Sequence, residues 1–312
     1  MKQFVIGIDI GGTNIKIGLI NKKAEILFRL NLKTKTVSKN TNQLVEGLAT
    51  ACLKVISENH LEKNQILGVG IGLPGLVDIK HNIVYSLTNI KGWKNVPLKK
   101  IIEKKIGIPV FIDNDVNVIA LAEWTYGAGK GAADLICMTL GTGVGGGLIL
   151  NNAIYRGPGF AAGELGHTPL NEKGKNCNCG GFACMETVVG NQYLEKKAKR
   201  FLNQKDITLE QVTALANKGN KKAVLFWEQT AEHISNGLIG VVNTLNPSLI
   251  LVGGGVAEAY KYIFPVMRQV IKKRAMHIQG RMVRIKKTTL GQDAGIIGSQ
   301  VLVLEMLGAH QA

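Results

Sequence analysis

A chain of 312 residues, 46% of them hydrophobic, exceeds the usual single-domain range of roughly 100–200 residues and predicts two lobes, each able to bury a core without staples. Five cysteines are too few and too scattered for a secreted disulfide framework, and no apolar run approaches the roughly 18 residues of a membrane span, so the sequence reads as soluble and cytoplasmic. The formal charge of +16 permits an anionic partner, but its lysines fall in short pairs (PLKKIIEKKIG, EKKAKR, VIKKRA) that read as solvated helix faces, and no zinc-finger or helix-turn-helix pattern points to nucleic acid.

In chain order, the first element is the β-branched run FVIGIDIGG, a strand that feeds a Gly-rich turn; ILGVGIGLPG, LICMTLGTG and LILVGGG repeat the form. Helical patterns alternate with them: QLVEGLATACLKVISE, VNVIALAEWTYG, a stretch from about Leu225 to Asn246 that stops before Pro247, and AGIIGSQVLVLEML. The alternation predicts an α/β fold. An internal repeat sharpens it. Gly12-Thr13-Asn14-Ile15-Lys16-Ile17-Gly18-Leu19-Ile20 aligns with Gly141-Thr142-Gly143-Val144-Gly145-Gly146-Gly147-Leu148-Ile149, each copy reading as strand, Gly-Thr turn, strand. Such a hairpin tip offers backbone N–H groups and a hydroxyl to phosphate oxygens, and two copies point to a nucleotide held between duplicated lobes.

Two GxGxxG matches, Gly70–Gly75 and Gly141–Gly146, are set aside as dinucleotide motifs because neither leads into a helix. In VFIDNDVNVIALAEW a strand passes into a helix, and the residues alone favour Asp113 or Asp115 as an ordinary N-cap. Cys52 and Cys137 sit in apolar runs and read as small core residues. The stretch CNCGGFACME is different: Cys177, Cys179 and Cys184 cluster beside Glu186, as metal ligands or as core thiols.

DIGGTNIKIG, GIGLPGLVD, NIKGW, IDNDVN, LGTGVGGG, GELGH, CNCGGFACME and LVGGG together, in this order, resemble the ROK family of sugar kinases, within the actin/hexokinase/heat-shock ATPase superfamily, and its bacterial glucokinases in particular. The cysteine motif departs from the family's usual pattern by carrying Asn178 and Ala183 where glycines are typical. The resemblance implies a two-lobed actin-like, hexokinase-like (ribonuclease H-like) ATPase fold with duplicated lobes around a central cleft. The smaller lobe is expected over residues 1–115 plus about 296–312, and the larger over 116–295 with the zinc site.

The implied activity is ATP-dependent phosphorylation of glucose at the C6 hydroxyl, with another hexose (N-acetylmannosamine, N-acetylglucosamine, fructose, mannose or allose) as the alternative substrate. His167 joins Cys177, Cys179 and Cys184 as the expected ligands of a structural zinc. Gly75, Asn114, Asp115, Glu164, His167 and Glu186 are expected to line the sugar, Asn89 and Trp93 to cover it or to serve the turn, and Asp115 to act as general base. Gly11, Gly12, Thr13, Gly141, Thr142 and Gly143 are expected at the phosphates of ATP, Gly253, Gly254 and Gly255 at its adenosine, and Asp9 beside Mg²⁺ through water. The family's DNA-binding repressors carry an added N-terminal helix-turn-helix, for which the position of Asp9 is expected to leave no room. A homodimer is the implied assembly.

Overall fold

The computed structural model describes residues 3–87 and 93–308. Within them the chain divides into two compact units, one of residues 1–127, 156–162 and 292–312, the other of residues 128–155 and 163–291.

The first unit is built on a five-stranded sheet of β1 (Phe4–Ile10), β2 (Asn14–Asn21), β3 (Ile26–Lys33), β4 (Ile66–Leu73) and, beyond the small hairpin of β5 (Val77–Asp78) and β6 (Ile83–Val84), β7 (Val110–Asn114). The order across the sheet is β3-β2-β1-β4-β7: the first three strands form an antiparallel meander, while β4 and β7 run parallel to β1. Near-continuous apolar runs in β1 and β4 fit strands covered on both faces. One cover is the helix Thr41–Glu58, whose Leu44, Leu48, Cys52 and Val55 are buried. The helix Ala294–Met306 seats on a row of glycines: a Cβ at Gly70 would fall 2.1 Å from the Ser299 carbonyl oxygen, and one at Gly7 2.5 Å from that of Ile296. The glycines of ILGVGIG therefore let a helix lie directly on the strand backbone.

The second unit repeats the plan with β8 (Leu135–Leu140), β9 (Val144–Leu150), β10 (Ala153–Tyr155), β11 (Leu249–Gly253) and β12 (Arg284–Lys287), in the order β10-β9-β8-β11-β12 with the same parallel and antiparallel pairings. The duplication read from the Gly-Thr repeat is thus a duplication of whole sheets. Ile10 pairs with Ile15 and Leu140 with Val144, so the aligned Ile15 and Val144 are each the first residue of the second strand to pair with the first strand, and the second turn is one residue shorter.

Two boundaries differ from expectation. The helix Asp115–Thr125 packs in the first unit against Ala294–Met306, where a Cβ at Gly298 would stand 1.9 Å from the Val118 carbonyl oxygen; the first unit therefore extends to residue 127 and also takes in 156–162. The long helix of the second unit begins at Lys221, not near Leu225, because Asn220 caps it by accepting the Ala223 N–H; it ends at Asn246, whose left-handed φ of 47° closes it before Pro247.

Candidate functional site

In the first unit the parallel strands β1, β4 and β7 end side by side, and Asp9, Gly75, Asn114 and Asp115 lie at or just beyond their carboxyl ends. Asp9 on β1 pairs in register with Gly72 on β4, which pairs with Asp113 on β7. Two strand spacings, about 10 Å, therefore separate Asp9 from the Asp113–Asp115 corner. Carboxyl ends of parallel strands are where open α/β sheets bind ligands.

Asp9 faces the first turn of the helix Ala294–Met306; a Cβ at Gly295 would lie 2.5 Å from its carboxyl carbon. Burial raises its pKa and Lys16 opposes that rise; a cation beside it would oppose it further. The turn Gly11-Gly12-Thr13 leaves Gly12 and Thr13 exposed and is held from behind by Thr34, whose hydroxyl donates to Gly11 O (2.7 Å) and whose N–H donates to Thr13 O (3.0 Å).

At the β7 corner three neighbouring side chains divide the work. Asn114, not an aspartate, is the N-cap: its Oδ1 accepts the Val116 and Asn117 N–H groups, and its Nδ2 donates to Gly75 O at 3.2 Å. Asp113 is buried; its Oδ1 accepts from Asn114 N (2.7 Å) and Asn117 Nδ2 (3.0 Å), and its Oδ2 from Arg156 Nε (2.7 Å). Asp115 is the first residue of the helix, partly exposed, with Oδ1 accepting the Val116 N–H. Gly75 has φ 137°, and a Cβ there would fall 2.3 Å from Ser86 O, so the close approach of this turn to the following hairpin requires glycine. Trp93 is buried, its indole N–H donating to Val84 O (3.2 Å), so it pins the hairpin. Asn89 lies outside the described residues.

In the second unit Gly141-Thr142-Gly143 joins β8 to β9, and Gly254-Gly255 follow β11, whose Gly253 pairs with Thr139 on β8; the two glycine segments thus leave neighbouring strands at one end of the sheet. The turn carrying Glu164 and His167 lies on β9, where a Cβ at Gly166 would meet Val144 O at 2.2 Å. Glu164 Oε2 stands 3.8 Å from His167 Nε2. Desolvation raises the Glu164 pKa, His167 opposes this and Glu186 adds to it.

His167, Cys177, Cys179 and Cys184 converge, with all four ligand atoms within 4.8 Å of one another. Cys177 Sγ is 3.7 Å from His167 Nδ1 and Cys179 Sγ 3.6 Å from Cys184 Sγ. A zinc tetrahedron with sulfur at about 2.3 Å has an edge of about 3.8 Å, so the four atoms fit that ion. Burial, together with the adjoining Cys179 and Cys177, pushes the Cys184 thiol up to about 12, and a divalent cation would reverse that. Ala183, standing where a glycine is typical, takes the left-handed φ of 55° that favours glycine.

Some residues that organise the site carry no local signal in the sequence. Arg156, which also lies 3.5 Å from Glu305, is a single arginine in IYRGPGF, distant in sequence from both its partners. Buried Asp78 gathers the His81 N–H, His81 Nδ1 and Tyr85 hydroxyl, each at 2.8 or 2.9 Å, beside Gly75; only its place in a short hairpin could have suggested this.

Duplicated sheets of this topology, each with a Gly-rich turn between its first two strands, define the actin-like, hexokinase-like phosphotransferase fold. The ROK family matches residues 5–306, and the chain belongs to that family. It is 32% identical to a glucokinase of Halalkalibacterium halodurans, over 96% of this chain and 95% of that protein. A solved ROK family glucokinase from Streptomyces griseus, in complex with glucose and AMPPNP, is 30% identical with a TM-score of 0.79, over 95% and 97% of the two chains. A xylose repressor of Caldicellulosiruptor bescii is 29% identical, over 96% of this chain and 78% of the repressor.

Proposed function

We propose that the protein is an ATP-dependent glucokinase, transferring the γ-phosphoryl group of ATP to the C6 hydroxyl of glucose. The observation that carries the reading is the β7 corner: Asn114 caps the helix, Asp113 is buried against Arg156, and Asp115 stands partly exposed at the first helical position, at the carboxyl end of the sheet. The glucokinase relatives support glucose and the AMPPNP complex supports ATP.

In this mechanism Asp115 accepts the proton of the C6 hydroxyl as that oxygen bonds to the γ-phosphorus, the bond from phosphorus to the β,γ-bridging oxygen breaks, and ADP leaves with that oxygen. Glu164, His167 and Glu186 form hydrogen bonds with the sugar hydroxyls, as do Gly75, Asn89 and Asn114. The turns Gly11–Thr13 and Gly141–Gly143 receive the phosphates through the Gly12, Thr13, Thr142 and Gly143 N–H groups, those of Gly11 and Gly141 being spent inside the turns, and Gly253–Gly255 receive the adenosine. Mg²⁺, when bound with ATP near Asp9, supplies positive charge that offsets the phosphates, and zinc on the Cys₃His cluster supplies a rigid crosslink. Among the described residues no helix is long and apolar enough to cross a membrane. A cytoplasmic location and a homodimer complete the reading, the latter checked by sedimentation.

Asp115→Asn tests the assignment. It is expected to fold and to bind glucose within about threefold of wild type while turnover falls about 10²–10⁴-fold; near-normal turnover removes Asp115 from the role of base.

A further inference from the structure

A turn made of Gly141-Thr142-Gly143 has little side chain with which to hold itself in one shape, and glycine loses more conformational freedom on ordering than any other residue. Its internal bond is one short link, Gly141 N–H to Gly143 O at 2.9 Å. Beyond the flanking β8–β9 ladder, it is supported by one segment, the six residues that follow Cys184 and Met185. The Val144 N–H, at the exit of the turn, donates to Glu186 Oε2 (2.9 Å), and a Cβ built on Gly143 would be 2.6 Å from the same oxygen. The Asn191 N–H donates to Gly141 O at the entrance (2.9 Å), and Gly190 lies beside the tip, where a Cβ built on it would be in ordinary contact, 3.4 Å, with Thr142 O. Entrance, tip and exit are all met from behind.

The turn of the first unit offers the comparison. There too the first carbonyl is held from behind, Gly11 O by the Thr34 hydroxyl. The holder in that half is a neutral threonine with no place in the sugar site. In the second half part of the same task falls to a carboxylate expected to touch the sugar. We propose that Glu186–Asn191 is a strut that fixes Gly141–Gly143 in its phosphate-binding shape, and that Glu186 is a positioning residue for the nucleotide as well as a ligand of the sugar. One carboxylate oxygen holds Val144, so the other is left for a sugar hydroxyl. The inference rests on the nucleotide reading of the turn.

Binding of Mg-AMPPNP in the absence of any sugar, measured by calorimetry, separates a strut from a residue that serves the sugar alone. Glu186→Ala removes the acceptor of the Val144 N–H and is expected to weaken sugar-free nucleotide binding about fivefold or more. Glu186→Gln keeps an acceptor oxygen for that N–H and is expected to stay within about twofold of wild type, while both variants lose glucose affinity. Asn191→Pro deletes the N–H that holds Gly141. Asn191 opens the helix Asn191–Phe201 and Gly190 has φ −68° and ψ 145°, so proline fits this first helical position and circular dichroism should show the fold retained. It too is expected to weaken nucleotide binding about fivefold, with glucose binding unchanged. Wild-type nucleotide affinity in both Glu186→Ala and Asn191→Pro would overturn the strut. A wild-type protein that binds no Mg-AMPPNP would overturn the strut together with the nucleotide reading.

Discussion

Replacing Arg156 by methionine should destabilise the first unit far more than an ordinary charge removal. Arg156 and Asp113 form a 2.7 Å pair with side chains 11% and 2% exposed, and Arg156 reaches Glu305 at 3.5 Å. Burial lowers the arginine pKa, but Asp113 and Glu305 outweigh it and the guanidinium is raised overall, so the charge is firmly held. Methionine fills much of the volume yet leaves Asp113 Oδ2 without its donor in a desolvated corner. Breaking a buried pair by removing one partner costs about 3–5 kcal/mol. For a cooperative unit of about 150 residues, at about 3 °C per kcal/mol, the melting temperature should fall by about 9–15 °C. Scanning calorimetry reads this directly. Asp113→Asn in the same chain removes the stranded charge and keeps an oxygen for the Asn114 N–H, so the double variant should recover about 1–2 kcal/mol relative to Arg156→Met. A loss below about 3 °C in the single variant, or simple additivity in the double, would refute a desolvated and coupled pair.

Two further outcomes follow from the cysteine cluster and from Asp78. The purified protein should carry one zinc per chain; Cys184→Ser or a strong chelator should release it and lower the melting temperature, and metal analysis finding no stoichiometric zinc would reject the Cys₃His site. Burial pushes the Asp78 carboxyl up, but the hydrogen bonds from His81 and Tyr85 prevail and hold it at about 2, below the ordinary value of 3.8. A carboxyl lower in the folded than in the unfolded state contributes stability above the unfolded value and loses it as pH falls through the folded one. The melting-temperature difference between wild type and Asp78→Asn should therefore be full at pH 5 and narrow steadily between about pH 4 and pH 2; a constant difference would argue against an ionised, hydrogen-bonded Asp78.

Much of this architecture could be read from the sequence because its devices are local. The Gly-Thr repeat marked both hairpins, and the strand-to-helix passage in IDNDVN marked the corner, since turns and caps depend on residues a few positions apart. Cys177, Cys179 and Cys184 announced a cluster by proximity, but His167 joined it only through the family resemblance. What the sequence hid is non-local. The helices Asp115–Thr125 and Ala294–Met306 are buried around most of their circumference, which says that each is covered on two sides but not by what; their mutual packing is what moves the unit boundary past 115. Arg156 and Glu186 hide similarly, since a long-range ion pair and a backbone N–H on a carboxylate have no sequence period.

The central claim is tested most directly by initial rates of ADP release from Mg-ATP with zinc-replete protein, comparing glucose with N-acetylmannosamine, N-acetylglucosamine, mannose, fructose and allose. The account predicts the highest kcat/KM for glucose. A higher value for another hexose would contradict the glucose assignment and leave Asp115 to a different sugar, and no sugar-stimulated release with any of them would contradict the kinase itself.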